Sequence, residues 1–364
     1  MTDALILGGG LAGSAAACLI ARGGGDVLLL ERETGAHHKV CGEFLSVEAV
    51  AHLRQLGVEP LDLGAVPIRR MRLVWGDRAV ETALPFAALG LSRHALDEAL
   101  IGRAAASGAR IERGVRVTGL DGHTARTSVG EHHGRHVLVA TGKLPIRGER
   151  PAARIANGHV GFKMHYRLSP AAMRHLAGAI VLVLLEGGYA GLQLIEDGRA
   201  NLCLVLRADA FARLGGDWQG VRAWLEGTGF LQRVLADAQP LFERPLAIAN
   251  LSYGPPPRGH ATGTAMLLGD RWAMTPSLTG DGMAIALRSA FLAAHCVLAG
   301  DDAGTYHRLL AGQTRRQIIR ATVLQNGLES PAFRRAAYWL ARMHAPVLAY
   351  AARATRLPDW REIA

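Results

Sequence analysis

Aromatic side chains are scarce: Phe, Trp and Tyr together make 5% of the 364 residues. That leaves no interleaved rings on which single-stranded nucleic acid would stack, and no nucleic-acid partner is expected. Cysteine is sparse too, with Cys18, Cys41, Cys203 and Cys296 far apart and no Cys-x-x-Cys pair. Neither a zinc site nor a disulfide framework follows from such spacing, so no metal is expected, and a reducing cytoplasm is the expected compartment. Apolar runs are short. Ala177 to Leu185 falls far below the ~20 residues a membrane helix needs. No basic stretch precedes an apolar one at the N-terminus, so no secretory leader is expected. Internal repeats and low-complexity segments are missing as well.

What is present is a chain longer than the ~250–300 residues at which one core stops growing, which favours two domains. Apolar residues reach 49% and charged residues 20%, a globular balance that argues against long disorder. The net charge of +10 would suit an anionic partner, such as anionic lipid or an acidic carrier protein. Over most of the chain it reads as a solubilising surface, with the C-terminus as the exception.

The N-terminus carries a cofactor signal. Ala4 to Leu7 is a short apolar run, followed by Gly8-Gly9-Gly10-Leu11-Ala12-Gly13, an Ala-rich stretch from Ser14 to Arg22, and a second apolar run, Val27 to Leu30, ending at Glu31-Arg32. This is strand, Gly-rich turn, helix, strand, the context in which the glycine spacing means dinucleotide binding. Gly8 permits the tight turn, Gly10 lets backbone approach a pyrophosphate, and Gly13 lets helix pack on strand. The helix start at Leu11-Ala12 offers N–H donors and a positive dipole to phosphates. Glu31, 18 residues after Gly13, is placed to accept hydrogen bonds from ribose hydroxyls. Two further elements stand apart from this unit. Val137 to Val139 runs into Ala140-Thr141-Gly142. Ala265 to Leu268 runs into Gly269-Asp270, and Ser277-Leu278-Thr279-Gly280-Asp281-Gly282-Met283 then opens an Ala-rich helix from Ala284 to Leu298. Backbone N–H groups at such a helix start suit the electron-rich edge of a reduced flavin.

Taken together, the fingerprint with Glu31-Arg32, the Ala140-Thr141-Gly142 turn and the late Gly269-Asp270 resemble FAD-dependent oxidoreductases of the geranylgeranyl reductase and aromatic hydroxylase (p-hydroxybenzoate hydroxylase-like) superfamily. The resemblance runs from residue 4 to about 300. It implies an α/β fold: a Rossmann-type FAD-binding domain with an inserted mixed-sheet substrate domain and a helical C-terminus. It also implies FAD as cofactor, held by Gly8, Gly10, Leu11, Ala12, Gly13, Glu31, Arg32, Thr141, Gly142, Asp270, Gly280, Asp281, Gly282 and Met283. The segment Leu91 to Asp97 is similar to one in the family whose arginine lies by the pyrophosphate. That role falls to Arg93, whose fork donates two hydrogen bonds at once. Ser92 would also cap the helix that follows.

The family's FAD domain is discontinuous. Here it is expected over 1–60, 90–150 and 256–305, with the substrate domain over 61–89 and 151–255 and a helical region over 306–364. Val160 to Leu168 and Ile180 to Leu185 read as strands, and Leu192 to Ile195 pairs with Asn201 to Leu206 around the turn signal Asp197-Gly198. Phe211 to Ala236 has helical patterning. The tail from Tyr306 to Ala364 holds ten Arg against three acids. It reads as helices packed on the FAD domain with a solvated basic face, or as a face for an anionic membrane surface.

Several residues are placed to carry chemistry. Lys39-Val40-Cys41-Gly42-Glu43 resembles the Cys-Gly segment that geranylgeranyl reductases carry near the flavin. Cys41 reads as a proton donor or a small buried side chain, Glu43 as a general acid or base if burial raises its pKa, or as a partner of Lys39. Those reductases carry Tyr-x-Trp-x-Phe-Pro over the prenyl chain. This chain keeps Tyr189 but has Gly191 and Gln193 at the next two places, which implies a roomier and more polar pocket that Tyr189 and Gln193 would line. Ser277, after Pro276, is a candidate substrate or flavin contact. Lys163 and His165 alternate on a predicted strand and share one face; that face either lines the pocket or is solvated. The Trp-x-Trp-x-Ile-Pro motif of flavin-dependent halogenases is absent.

The leading reading is hydroxylation of a hydrophobic aromatic or polyketide-like metabolite, with oxygen transfer in a water-poor pocket. The alternative is reduction of a C=C bond with a proton from Cys41, Glu43 or Tyr189. A third reading is a flavoprotein electron carrier or lipid-binding module without turnover. NADPH or NADH is the candidate electron donor, and another donor stays open.

Overall fold

Two sheets account for nearly all the strands. The computed structural model describes residues 2–143, 146, 158–256 and 263–358. The first stretch carries β1 (Thr2–Leu7), α1 (Leu11–Arg22), β2 (Val27–Glu31), β3 (Phe44–Leu45), α2 (Val47–Gln55), β4 (Val66–Trp75), β5 (Arg78–Gly90), α3 (Arg93–Ala106), β6 (Arg110–Arg113), β7 (Val117–Asp121), β8 (Thr124–Thr127) and β9 (Gly130–Val139). The second carries β10 (His159–Arg167), α4 (Pro170–Leu176), β11 (Ala179–Leu185), β12 (Gly188–Leu194), β13 (Arg199–Arg207), α5 (Ala208–Arg213), α6 (Trp218–Glu226), α7 (Gly229–Leu235), β14 (Gln239–Pro240) and β15 (Leu246–Leu251). The third carries β16 (Met266–Leu267), α8 (Gly282–Ala299), α9 (Ala303–Glu329), α10 (Pro331–Met343) and α11 (Pro346–Ala354).

The first sheet runs β6-β2-β1-β9-β8-β7, with β16 also on β9. Strands β6, β2, β1, β9 and β16 are parallel, and β1 and β2 are buried on both faces. That is why they read as unbroken apolar runs. Helix α1 lies on this sheet with Ala15, Ala16 and Ala17 fully buried, small enough to let α8 pack alongside. By length and composition α8 is apolar enough to cross a bilayer, but it is largely buried inside the molecule. It is the core helix that covers α1.

The second sheet runs β14-β10-β13-β12-β11-β4-β5-β3, with β15 also on β10. All pairs are antiparallel except β11 with β4. The expected hairpin is present as β12 and β13, and Asp197 and Gly198 both take the left-handed conformation its turn needs. Strand alternation divides this sheet's faces. Phe162, Met164, Ala190, Leu192, Leu202 and Leu204 form one core with residues of α4, α6 and α7. The opposite face holds three rows across β10, β13 and β12: His165-Asn201-Gln193, Lys163-Cys203-Gly191 and Gly161-Val205-Tyr189.

The C-terminal helices divide between the two cores. Helix α9 packs on the FAD-binding side, with Tyr306, Leu310 and Ile318 in the first core, while α10 packs on the second sheet: Tyr338 and Ala341, fully buried, sit with Leu73, Val80 and Leu184 of β4, β5 and β11. The buried face of α10 matches an apolar strand surface that Leu328 of α9 and Val347 and Leu348 of α11 also border. The end of the tail also returns to the first core, through Leu357.

Candidate active site

Glycine geometry at the first turn builds an anion cradle. Gly8 has φ 107°, and a Cβ there would lie 2.6 Å from the Ala140 carbonyl oxygen. The end of β1 is thus pressed against the Ala140-Thr141-Gly142 turn at the end of β9, and Gly142 itself has φ 66°. A Cβ on Gly13 would overlap the Gly8 carbonyl oxygen. Gly10 caps α1 with no side-chain bond to the helix N–H groups, so the donors at Leu11 and Ala12 stay open. Lys39 Nζ and Arg93 Nη2 converge on the same point, 3.4 and 3.5 Å from where a Gly10 Cβ would be. Asp97 orients both cations: Lys39 at 2.9 Å, and Arg93 through Nε at 2.8 Å and Nη2 at 3.0 Å. Burial alone would raise the Asp97 pKa, but Arg93 and Lys39 hold the carboxyl below its usual range. Two cations against one carboxylate leave a positive excess at a helix N-terminus, which fits a pyrophosphate. The fork of Arg93 is spent on Asp97, so Arg93 faces the cradle with its flank. Ser92 caps α3 by accepting from Ala95 N at 3.1 Å.

Glu31 is buried at the end of β2 and accepts from Gly9 N at 2.6 Å and Glu33 N at 2.9 Å, one bond on each oxygen. Each oxygen keeps a lone pair for a ribose hydroxyl. Arg32 is half-exposed and paired with Glu33 at 2.6 Å. Gly269 (φ 55°) packs between Ala12 and Ala286, which sets Asp270 near the starts of α1 and α8. The loop Ser277–Thr279 leads to Gly280, in left-handed conformation against the Phe44 ring, and Gly282 and Met283 begin α8. Asp281 turns inward. It accepts from Gln317 Nε2 at 2.7 Å and pairs with Arg356 at 2.8 Å. Burial outweighs Arg356 and pushes its pKa up to about 7. Its side chain braces the loop from behind, so any ligand contact from this segment falls to the backbone of residues 280–283.

The Cys41–Glu43 loop crosses to the second sheet and is clamped there. Glu43 adopts φ 57° and is fully buried. Its carboxylate accepts from Lys163 Nζ, from His165 Nε2 at 2.8 Å and from Arg93 N at 2.8 Å. Its carbonyl accepts from Gln193 Nε2 at 2.6 Å. Asn201 Nδ2 donates to the carbonyls of Cys41 at 3.2 Å and Gly42 at 2.9 Å. Lys163 and His165 are therefore buried, which corrects the solvated strand face, and Lys39 belongs to Asp97, not to Glu43. Burial pushes the Glu43 pKa up, but its bonds to His165 and Lys163 prevail and lower it. The expected upward shift is thus reversed, and Glu43 is an anion with no proton to give. Gln193 has its amide nitrogen committed to the loop, not turned to a substrate. Cys41 is half-buried, its Sγ 3.4 Å from Glu43 N and beside the Arg93 guanidinium.

His38 completes this cluster. Its ring stacks on His94 at 4.7 Å and meets the His165 ring edge-on at 5.1 Å. Burial, then the nearby Lys163 and His165, lowers its pKa to about 4. Ligating atoms of His38, Glu43 and His165 lie within 4.8 Å of one another. The carboxylate already holds the Lys163 cation, so the group is an ion-pair cluster rather than a metal cage.

Farther along the same sheet face is a small cleft bounded by Leu184, Tyr189, Val205, Leu278, Leu328 and Glu329 among others. Burial raises the Tyr189 pKa well above its ordinary value, the Ser277 hydroxyl beside it acting the other way, and its hydroxyl makes no well-formed hydrogen bond among the described residues. Ser277 is exposed, 3.4 Å from the Tyr253 hydroxyl. At the mouth His159 and Glu329 pair at 2.7 Å. A Cβ at Gly191 would meet nothing closer than 3.9 Å, so the sheet is open there.

Sequence reasoning missed Asn201, His38, Tyr253, Gln317 and Arg356. Asn201 had a signal, since it falls on the same face of β13 as Cys203 and opposite Gln193. The other four come from loops and the tail, where no local pattern marks them.

A cradle for a pyrophosphate, an acid for a ribose and a second helix start beside them define a dinucleotide-binding site. Residues 1–137 match the FAD binding domain family. Over 357 residues the chain is 28% identical to menaquinone reductase of Mycobacterium tuberculosis, covering 91% of this chain and 85% of that one. It is also 28% identical over 304 residues to digeranylgeranylglycerophospholipid reductase 2 of Methanopyrus kandleri, covering 77% and 73%. In fold it is similar to the flavin-dependent brominase Bmp2, with TM-score 0.78 and 19% identity, covering 97% of this chain and 93% of that one. The protein is an FAD-dependent oxidoreductase, similar in sequence to these two reductases and in fold to the brominase.

Proposed function

We propose that the protein hydroxylates a hydrophobic, ring-bearing metabolite of phenolic or polyketide type in the cleft beside Tyr189. The observation that carries this reading is the Tyr189 hydroxyl, buried on a mostly apolar wall without a well-formed hydrogen bond among the described residues, with the exposed Ser277 hydroxyl beside it. Leaving such a group unpaired costs about 1–3 kcal/mol. A ring oxygen on the substrate would satisfy it, and a plain hydrocarbon chain would not. With its pKa raised, Tyr189 stays protonated at neutral pH and acts as donor. Leu184, Val205, Leu278 and Leu328 exclude water from the ring. Bound FAD supplies two-electron transfer and activation of dioxygen. In the overall reaction a ring C–H bond breaks and a C–O bond forms. The second oxygen atom leaves as water, and NADPH or NADH provides two electrons. Glu43, Lys163, His165 and Gln193 act as positioning residues that fix the Cys41 loop.

A second reading is C=C reduction. It is supported by the half-buried Cys41 thiol beside Arg93 and by the two reductases at 28% identity, and there Cys41 or Tyr189 would deliver the proton.

The test is titration of the FAD-loaded enzyme with a long-chain phenol, followed by the change in flavin absorbance. Tyr189→Phe should weaken binding about tenfold, the equivalent of about 1.4 kcal/mol, while binding of the matching deoxygenated ring stays unchanged. Equal loss for both ligands would refute the role of the hydroxyl.

A further inference from the structure

We propose that the outer face of the α9–α10 hairpin docks on an anionic membrane surface, which places the mouth of the cleft at the lipid boundary. On α10 the buried residues are Arg334, Tyr338 and Ala341. The opposite side carries Phe333, Ala336, Leu340 and Met343, spaced three, four and three residues apart on one exposed stripe. Leu340 is 49% and Met343 78% exposed. The facing helix continues the pattern with Val323, 67% exposed, and the Phe333 ring packs against Gly327 at the hairpin's closed end. Tyr350 of α11 adds a further exposed ring at 74%. Side chains of this size are normally covered, and a clustered stripe marks a contact surface.

Charge selects the occupant. Between residues 303 and 358 the chain has nine Arg and one acid, Glu329, and that acid is turned inward onto His159. Arg316, Arg320, Arg335, Arg342 and Arg353 are exposed around the apolar stripe. Trp339 sits among them with the Arg342 guanidinium 4.9 Å and the Arg78 guanidinium 5.5 Å from its ring centre. Apolar residues that insert, arginines that meet headgroups and a Trp at the boundary are the composition of an interfacial helix. An acidic carrier protein would match the arginines but would leave Leu340 and Met343 in water. The same hairpin forms the wall of the cleft: Gln325, Leu328 and Glu329 line it from α9. A hydrophobic substrate would therefore pass from bilayer to cleft along one helix.

The experiment is co-sedimentation of the full-length, FAD-loaded protein with vesicles of phosphatidylcholine alone and of phosphatidylcholine with phosphatidylglycerol. The variants are L340E/M343E and R335E/R342E, all at exposed positions outside the site. Binding should be at least tenfold stronger to the anionic vesicles, and each double variant should remove most of it with the flavin spectrum unchanged. Three results would overturn the proposal: no preference for anionic vesicles, binding that both variants retain, or loss only in R335E/R342E together with capture of an acidic acyl carrier protein. Sedimentation does not read turnover, so this outcome is separate from the reaction assigned to the cleft.

Discussion

A carboxylate with no solvent contact is tolerated at position 43 because three donors meet it. Lys163, His165 and the Arg93 N–H replace the water that Glu43 loses, and the two side chains lie on a rigid sheet 120 and 122 residues away. Such a pair adds little net stability when intact, but removing one member leaves the other charge buried alone. Glu43→Gln should therefore cost about 3–5 kcal/mol at neutral pH, read as a lower denaturation midpoint. The pH dependence follows from the lowered Glu43 pKa. Its contribution is full above the unfolded-state value and is lost as pH falls through the lower folded value, so the gap between wild type and variant should close on acidification. A gap that widened on acidification would contradict an ionised Glu43. None of this was legible locally. The residues Cys41-Gly42-Glu43 marked the right loop, but Lys163 and His165 looked like any charged strand face until the fold brought the loop onto them.

At the level of elements, legibility followed range. The β1-α1-β2 unit and the β12-β13 hairpin depend on patterns a few residues long, and both appear as expected. Gly8, Gly10 and Gly13 each answer a separate geometric demand, and their spacing carries the information. Docking of α10 was not legible, because its partner strands lie more than 140 residues away and its buried face is only Arg334, Tyr338 and Ala341. The cradle itself gives the sharpest element-level prediction. At Gly10 a Cβ fits at ordinary contact distance, but further atoms would enter the space shared by Lys39, Arg93 and the start of α1. Gly10→Leu should fold with a near-normal far-ultraviolet spectrum and lose FAD affinity by roughly a hundredfold, about 3 kcal/mol. Full retention of flavin in the folded variant would place the pyrophosphate elsewhere.

For the whole molecule, the two sheets divide the work and one loop joins them. The first sheet supplies the FAD cradle, the second supplies a polar row that pins residues 41–43 and an apolar cleft beside it, and the tail braces the flavin loop through Arg356 and Asp281. The loss of the reductases' aromatic motif was legible from Gly191 and Gln193. The burial of the Tyr189 hydroxyl was not, since only packing shows how few of the described groups reach it. Oxygenation and hydrogenation differ in what the product gains, and that difference tests the central claim most directly. The measurement is mass spectrometry of the product formed by the FAD-loaded enzyme with NADPH, a long-chain phenol and isotopically labelled dioxygen. Hydroxylation predicts a product that carries one labelled oxygen atom. A product that gains two hydrogens, with no dioxygen consumed, would contradict it and establish the protein as a reductase.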